Sequence, residues 1–168
     1  MANLVTISDF EGAFQVQTDT RTVAKFNLIR DEYQNDFLYD LLGADLTALF
    51  LADLDANGVP QTAIYEAIYE PFAEDTDAGY VVRSKGLKEA IKAIVWYHFV
   101  RQNNHLVTTS GNTVKKSENA DISTEPFYLA QNYNKAIEIG FAIQWYINEN
   151  MSDYPEYYGQ ELEYLIGI

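Results

Sequence analysis

Oxygen-bearing side chains at the spacing of a calcium loop occur in the stretch DLDANG, residues 53–58. Asp53, Asp55, Asn57 and Gly58 match positions 1, 3, 5 and 6 of the helix–loop–helix calcium site. Such a loop is closed by a bidentate glutamate at position 12, and that position is Ile64 in this chain. Because this glutamate is missing, we interpret the stretch as a helix end followed by a turn, and we predict no metal site.

Other residues that could do chemistry also lack the partners that a reaction needs. His98 and His105 are seven residues apart, and the second follows the end of a predicted helix, so they do not form a two-histidine zinc face. His98 is expected in the core, whereas Glu66 and Glu70 are expected on a solvated helix face. There is no cysteine, no phosphate-binding glycine loop and no serine–histidine pairing. The sequence therefore predicts a protein that is not an enzyme and that has no cofactor.

Composition indicates a folded protein with an uneven charge distribution. Of the 168 residues, 48% are hydrophobic and 14% are aromatic, which is enough to build a core. The formal net charge of −14 argues against a protein that wraps nucleic acid. No run approaches ~18 apolar residues, so no membrane segment is expected, and the first residues do not resemble a signal peptide.

The cations are concentrated in the middle of the chain. Residues 83–116 carry 7 basic and 1 acidic residue, whereas residues 1–82 carry 15 acidic and 3 basic ones, and residues 117–168 carry 9 acidic and 1 basic one. Two interpretations remain open. Either the basic block folds back onto its own acidic flanks, or it contacts another subunit or a partner of opposite charge.

Hydrophobic periodicity predicts five helical segments, at 18–43, 45–54, 61–72, 87–104 and 124–150. Residues 73–86 are expected to be an acidic loop. On the last helix, the apolar residues that recur at helical spacing form one face, and this face also includes Gly140 and Gln144. We predict an all-α fold: a helical bundle of about four to five helices with one extended arm or β-hairpin-like loop, at 105–123, between the two last long helices. The bundle and arm form a domain at 1–150, followed by an acidic, aromatic tail at 151–168 that either docks on the bundle or contacts a partner.

One part of the chain, a helix followed by a polar stretch and a second long helix, resembles a known family. The helix GLKEAIKAIVWYHFVRQNN, residues 86–104, is followed by the polar stretch VTTSGNTVKKSENADIS, residues 107–123, and by the last long helix. This pattern resembles the head–tail connector, or adaptor, proteins of tailed bacteriophages, including those of crAss-like and related phages. The resemblance extends over residues 4–150, and it concerns the pattern of elements rather than a catalytic signature.

The resemblance implies a structural virion protein in the neck, made in the cytoplasm of the host bacterium. Family members form a cyclic ring of about twelve copies below the portal protein, extend the DNA channel and dock the tail or other neck proteins. DNA would pass an acidic channel without specific binding. Residues of the basic block, the arm and the tail are the candidate subunit or partner interface: Lys88, Lys92, His105, Val107, Thr108, Thr109, Val114, Lys115, Lys116, Tyr157, Tyr158 and Tyr164.

Two other functions stay open on the sequence alone. A tail-completion or tail-terminator protein would have a similar role in the same particle. A small helical ligand-binding or regulatory module would instead use an apolar pocket between helices.

Overall fold

The computed structural model describes residues 3–11, 19–103, 105–108, 111–114 and 125–165, with only the backbone at 103, 105–108, 111–114 and 125–127. A short 3-10 helix, Ile7–Asp9, precedes the first long helix. Five α-helices and four strands follow in chain order: α1 Thr20–Leu42, α2 Ala44–Asp53, α3 Ala63–Tyr69, β1 Phe72–Asp75, β2 Val81–Ser84, α4 Leu87–Asn103, β3 His105–Thr108, β4 Gly111–Val114 and α5 Glu125–Glu149.

The first long helix, α1, begins and ends at residues suited to those positions. The carboxylate of Asp19 accepts hydrogen bonds from the backbone amides of Arg21 and Thr22, both at 3.1 Å, as an N-cap. Gly43 ends the helix with φ +82°, which favours glycine, and its amide donates to the carbonyl of Tyr39. The predicted helix over 18–43 is therefore confirmed to within two residues at each end.

The core is formed by α4 packed between α1 and α5. Residues of α4 are buried all round the helix, namely Leu87, Ala90, Ile91, Ala93, Ile94, Val95, Trp96, Tyr97 and Phe99. The ring of Phe26 on α1 packs edge-on against Phe10 and Phe99, with centroid distances of 4.8 and 5.7 Å. The predicted helical bundle is confirmed.

Two β-hairpins distinguish the fold from the all-α bundle that we expected. The strands β3 and β4 pair antiparallel, which agrees with the hairpin-like loop predicted between the last two helices. The strands β1 and β2 also pair antiparallel, so the prediction of a loop at 73–86 is wrong. Gly79 allows the turn at φ +81°, and the β-branched Val81 and Val82 favour the returning strand.

Candidate assembly surfaces

The predicted interface lysines of α4 have partners within their own chain. Lys88 Nζ lies 2.8 Å from a carboxylate oxygen of Asp9, and Lys92 Nζ lies 3.2 Å from Glu89. Lys135 on α5 contacts the same Glu89 at 2.9 Å. Burial acts to lower the pKa of Lys88, but the hydrogen bond and charge of Asp9 outweigh it and hold that pKa above its ordinary value. At Lys88, the basic block thus folds back onto the acidic N-terminal part of the chain.

The second candidate surface is the β3–β4 hairpin, which continues directly from α4. His105 pairs with Val114 at its base, Val107 pairs with Asn112, and Thr108 pairs with Gly111 at its tip. Thr109, Lys115 and Lys116 lie outside the described residues. Within the described part of the chain, this sheet has two strands only, so both of its edges have unpaired backbone groups. Such edges are sites at which another chain can add a strand.

The tail is the third candidate surface, and its tyrosines differ widely in exposure. Tyr158 is 85% exposed, whereas Tyr164 is 43% exposed and its ring lies 5.4 Å from that of Phe141. Tyr157 is half-buried, and burial raises the pKa of its phenol. Tyr154 is buried, and its hydroxyl donates a 2.6 Å hydrogen bond to the carbonyl of Ile64. The described tail therefore docks on the bundle, as an extended segment, and leaves Tyr158 facing solvent.

Docking of the tail also satisfies the free carbonyl groups at the end of α1. The amides of Gln160 and Tyr158 donate to the carbonyls of Asp40, at 2.7 Å, and Leu42, at 3.3 Å. The side chain of Gln144 on α5 donates to the carbonyl of Leu41 at 3.2 Å and to that of Gln160 at 2.8 Å. A helix end leaves such acceptors without partners, so the tail acts as the C-terminal cap of α1.

Close contacts fix the path of the tail. A Cβ atom on Gly159 would lie 2.3 Å from the carbonyl oxygen of Leu41, so only glycine permits this approach. Leu162 is buried in a notch at Gly140, where an added Cβ would lie 2.5 Å from the leucine Cδ1 atom. The amide side chain of Asn134 exchanges two hydrogen bonds with the backbone of Leu165. The tail thus runs back along α5 towards its N-terminus.

The calcium-like stretch forms the predicted helix end and turn. The carboxylate of Asp53 accepts hydrogen bonds from the amides of Gln61 and Thr62, both at 2.8 Å, and from the Thr62 hydroxyl. Asp55 accepts from the amides of Asn57, at 2.8 Å, and Val59, at 2.9 Å. Both carboxylates therefore stabilise the connection from α2 to α3.

His98 is half-buried in a polar and aromatic layer near the end of α4. Its ring stacks on Tyr33 with a centroid distance of 3.5 Å and an interplanar angle of 7°. Burial, with a smaller contribution from the charge of Arg101, lowers the pKa of His98 to about 4. The imidazole is therefore neutral at pH 7 and packs as an aromatic side chain, but it is half-buried rather than in the core as predicted.

Among the described residues, no three histidine, aspartate or glutamate side chains come together in a way that could hold a metal ion. Over the same residues, no helix combines the length and the apolar content that a bilayer crossing requires. Comparison with known proteins gives no match of this chain to a family model, to a curated protein or to a solved structure.

Proposed function

We propose that this chain is a structural subunit of the neck of a tailed bacteriophage, a head–tail connector that assembles into a ring below the portal and docks the tail. The observation that carries the proposal is the β-hairpin between α4 and α5. It lies in the stretch on which the resemblance to the connector proteins rests, and among the described residues neither of its strands pairs with a third strand. In this role the chain has no catalytic residue and no cofactor.

The arrangement of the bundle supports a ring because a closed ring needs two different surfaces on each subunit. The β3–β4 hairpin follows the C-terminal end of α4, whereas the β1–β2 hairpin precedes its N-terminal end. With 17 residues, α4 is roughly 25 Å long. The two hairpins therefore lie at opposite ends of the bundle, where they can meet different faces of two neighbouring copies.

The strongly acidic composition suits a channel through which DNA slides. A net charge of −14 repels phosphates rather than binding them, so DNA would pass without specific contacts. On this proposal the protein is made in the bacterial cytoplasm and functions in the virion, between the portal and the tail.

Sedimentation velocity of the purified full-length chain over a concentration series tests the proposal. We expect a discrete high-mass species, alone or after addition of the portal protein encoded in the same genome. A monomer under both conditions would contradict the ring. A monomer that gains stability with a small molecule would instead favour the ligand-binding alternative.

A further inference from the structure

The connection between α2 and α3 contains Asn57–Gly58, the only asparagine in the sequence that is followed by glycine. In this dipeptide the backbone can attack the side-chain amide most easily, because glycine has no Cβ atom to hinder the approach of its amide nitrogen. Asn57 is exposed to solvent, so water and base can reach its side chain. The connection therefore contains a residue that is chemically suited to deamidation.

Deamidation at this dipeptide proceeds through a cyclic imide. The backbone nitrogen of Gly58 loses its proton and bonds to the side-chain carbonyl carbon Cγ of Asn57. The bond from Cγ to Nδ2 breaks, and Nδ2 leaves as ammonia with the proton that Gly58 lost. Water then opens the imide at either of its carbonyl carbons and returns a proton to the Gly58 nitrogen. Opening at Cγ gives aspartate, whereas opening at the main-chain carbonyl carbon gives isoaspartate.

The backbone of the folded chain keeps the Gly58 nitrogen away from the Asn57 side chain. The amide of Gly58 donates a 3.1 Å hydrogen bond to the carbonyl of Asp55, which closes a turn over residues 55–58. Its central residues, Ala56 and Asn57, both have negative φ, so this hydrogen-bonded turn is of type I. Such a turn holds ψ of its third residue at about 0°, which directs the next nitrogen away from the Cβ of that residue. The imide cannot close until this turn opens.

The carboxylate of Asp55 holds the same turn with three more hydrogen bonds. Its Oδ1 atom accepts from the backbone amides of Asn57, at 2.8 Å, and Val59, at 2.9 Å, and its Oδ2 atom accepts from Asn57 Nδ2 at 3.2 Å. The bond from the Val59 amide is foremost among those that hold the pKa of Asp55 below its ordinary value, so the carboxylate is charged at pH 7. Its negative charge also opposes loss of the proton from the Gly58 nitrogen.

The turn is closely packed on the N-terminal segment. A Cβ atom on Gly58 would lie 2.2 Å from the carbonyl oxygen of Asn3, and the next two residues, Leu4 and Val5, are buried. Isoaspartate at position 57 would insert a methylene group into the main chain at this point. A turn packed this closely has no room for a longer main chain, so the modification would loosen the contact between the turn and the N-terminal segment.

We propose that Asn57 is a site of spontaneous deamidation and that Asp55 protects it in the folded protein. Asp55 is a positioning residue here: it keeps the turn closed and the side-chain amide in place, and it does not itself react. Deamidation is then confined to molecules in which this turn has opened. The inference goes beyond the proposed function and does not depend on the ring.

Incubation of the full-length protein at mildly alkaline pH, followed by proteolysis and mass spectrometry, tests the proposal. A synthetic peptide of residues 53–61 gives the rate for the same dipeptide without the fold. Asp55→Ala removes the protecting carboxylate, and Asn57→Gln removes the reacting residue. The matched control is Asp53→Ala, because Asp53 bonds the amides at the far end of the same connection and not Asn57.

Circular dichroism verifies that each variant is folded. If Asp55→Ala is not folded, Asp55→Asn takes its place, since an asparagine at this position retains one oxygen for the backbone amides and loses the acceptor for Asn57 Nδ2. The same readout applies to both variants. A rate equal to that of the wild type in the folded variant would refute protection by Asp55.

We expect the peptide and the Asp55→Ala chain to deamidate at least about tenfold faster than the folded wild type, and Asp53→Ala to match the wild type. Tenfold in rate corresponds to about 1.4 kcal/mol, the scale of one or two of the hydrogen bonds that must open. A folded wild type that deamidates as fast as the peptide would refute the protection, and equal acceleration by Asp53→Ala would refute the role of Asp55. A stable peptide, or the same mass change in Asn57→Gln, would refute the site.

Discussion

Two tyrosines of the tail, Tyr154 and Tyr158, provide a matched test of whether the tail is part of the folded core. Tyr154 is 1% exposed and Tyr158 is 85% exposed, although they are four residues apart. Removing a buried aromatic side chain costs about 3–5 kcal/mol of unfolding free energy, through lost burial and the cavity that remains. Removing an exposed side chain usually changes it by less than about 0.5 kcal/mol. Tyr154→Ala should therefore be strongly destabilising, and Tyr158→Ala should be nearly neutral.

The magnitude can be followed by urea denaturation and by thermal melting monitored by circular dichroism. For a chain of this size, Tyr154→Ala should lower Tm by about 6–20 °C, since each kcal/mol corresponds to about 2–4 °C. Tyr154→Phe retains the ring and removes only the hydrogen bond to the carbonyl of Ile64, so about 1 kcal/mol should be lost. Equal and small effects of Tyr154→Ala and Tyr158→Ala would refute the docked tail.

Three further predictions concern the turns and the half-buried His98. Gly86→Ala should lower the free energy of unfolding, measured in urea, by more than Gly79→Ala does. Both glycines have φ near +80°, but a Cβ at Gly86 would lie 2.3 Å from the carbonyl oxygen of Tyr69, whereas a Cβ at Gly79 would meet open space. Calcium and EDTA should leave Tm unchanged because Asp53 and Asp55 bond backbone amides of the turn, and a calcium-dependent rise would contradict this. The pKa of His98 is about 4 in the folded protein and 6.5 ordinarily, so between these pH values the unfolded chain binds more protons than the folded one. The free energy of unfolding should therefore fall as the pH drops from 6.5 to 4, and His98→Phe should reduce this pH dependence. An unchanged pH dependence in His98→Phe would contradict this prediction.

The helices could be predicted from the sequence because their signals are local. Asp19 caps α1, Gly43 ends it, and the apolar stripe of α4 marks a helix that is buried on several sides. The hairpin at 72–84 stands where the acidic composition predicts a loop, because the acidic residues of β1 lie on a solvent-exposed strand. Gly79 followed by Tyr80, Val81 and Val82 was the available signal, since a turn glycine before β-branched residues is typical of a hairpin.

The partners of individual side chains could not be predicted, because they depend on contacts between distant parts of the chain. Lys88 was proposed for a subunit interface, yet Asp9, which is 79 positions away in the sequence, binds it. The cap of α1 likewise comes from the tail and from Gln144, on another helix. A glycine and a glutamine within the apolar stripe of α5 were the only sequence signs of this docking.

The cleft between the tip of the β1–β2 hairpin and the last turns of α5 was not found from the sequence for the same reason. Its carboxylates come from a strand, a turn and the end of α5, which are separated by about 70 residues. Only the pairing of β1 with β2 and the packing of Phe72 on Tyr146 bring them together. The charge segregation of the sequence left open whether the basic block folds back onto its own chain or contacts a partner, and the ion pair of Lys88 with Asp9 shows the first arrangement at that residue.

The central claim, that this chain is the subunit of a neck ring, is tested most directly by cryo-electron microscopy of the assembled protein. We predict a closed cyclic ring in which successive copies contact each other through opposite ends of the bundle. A monomer, or a two-fold dimer that uses the same surface of both copies, would contradict the account.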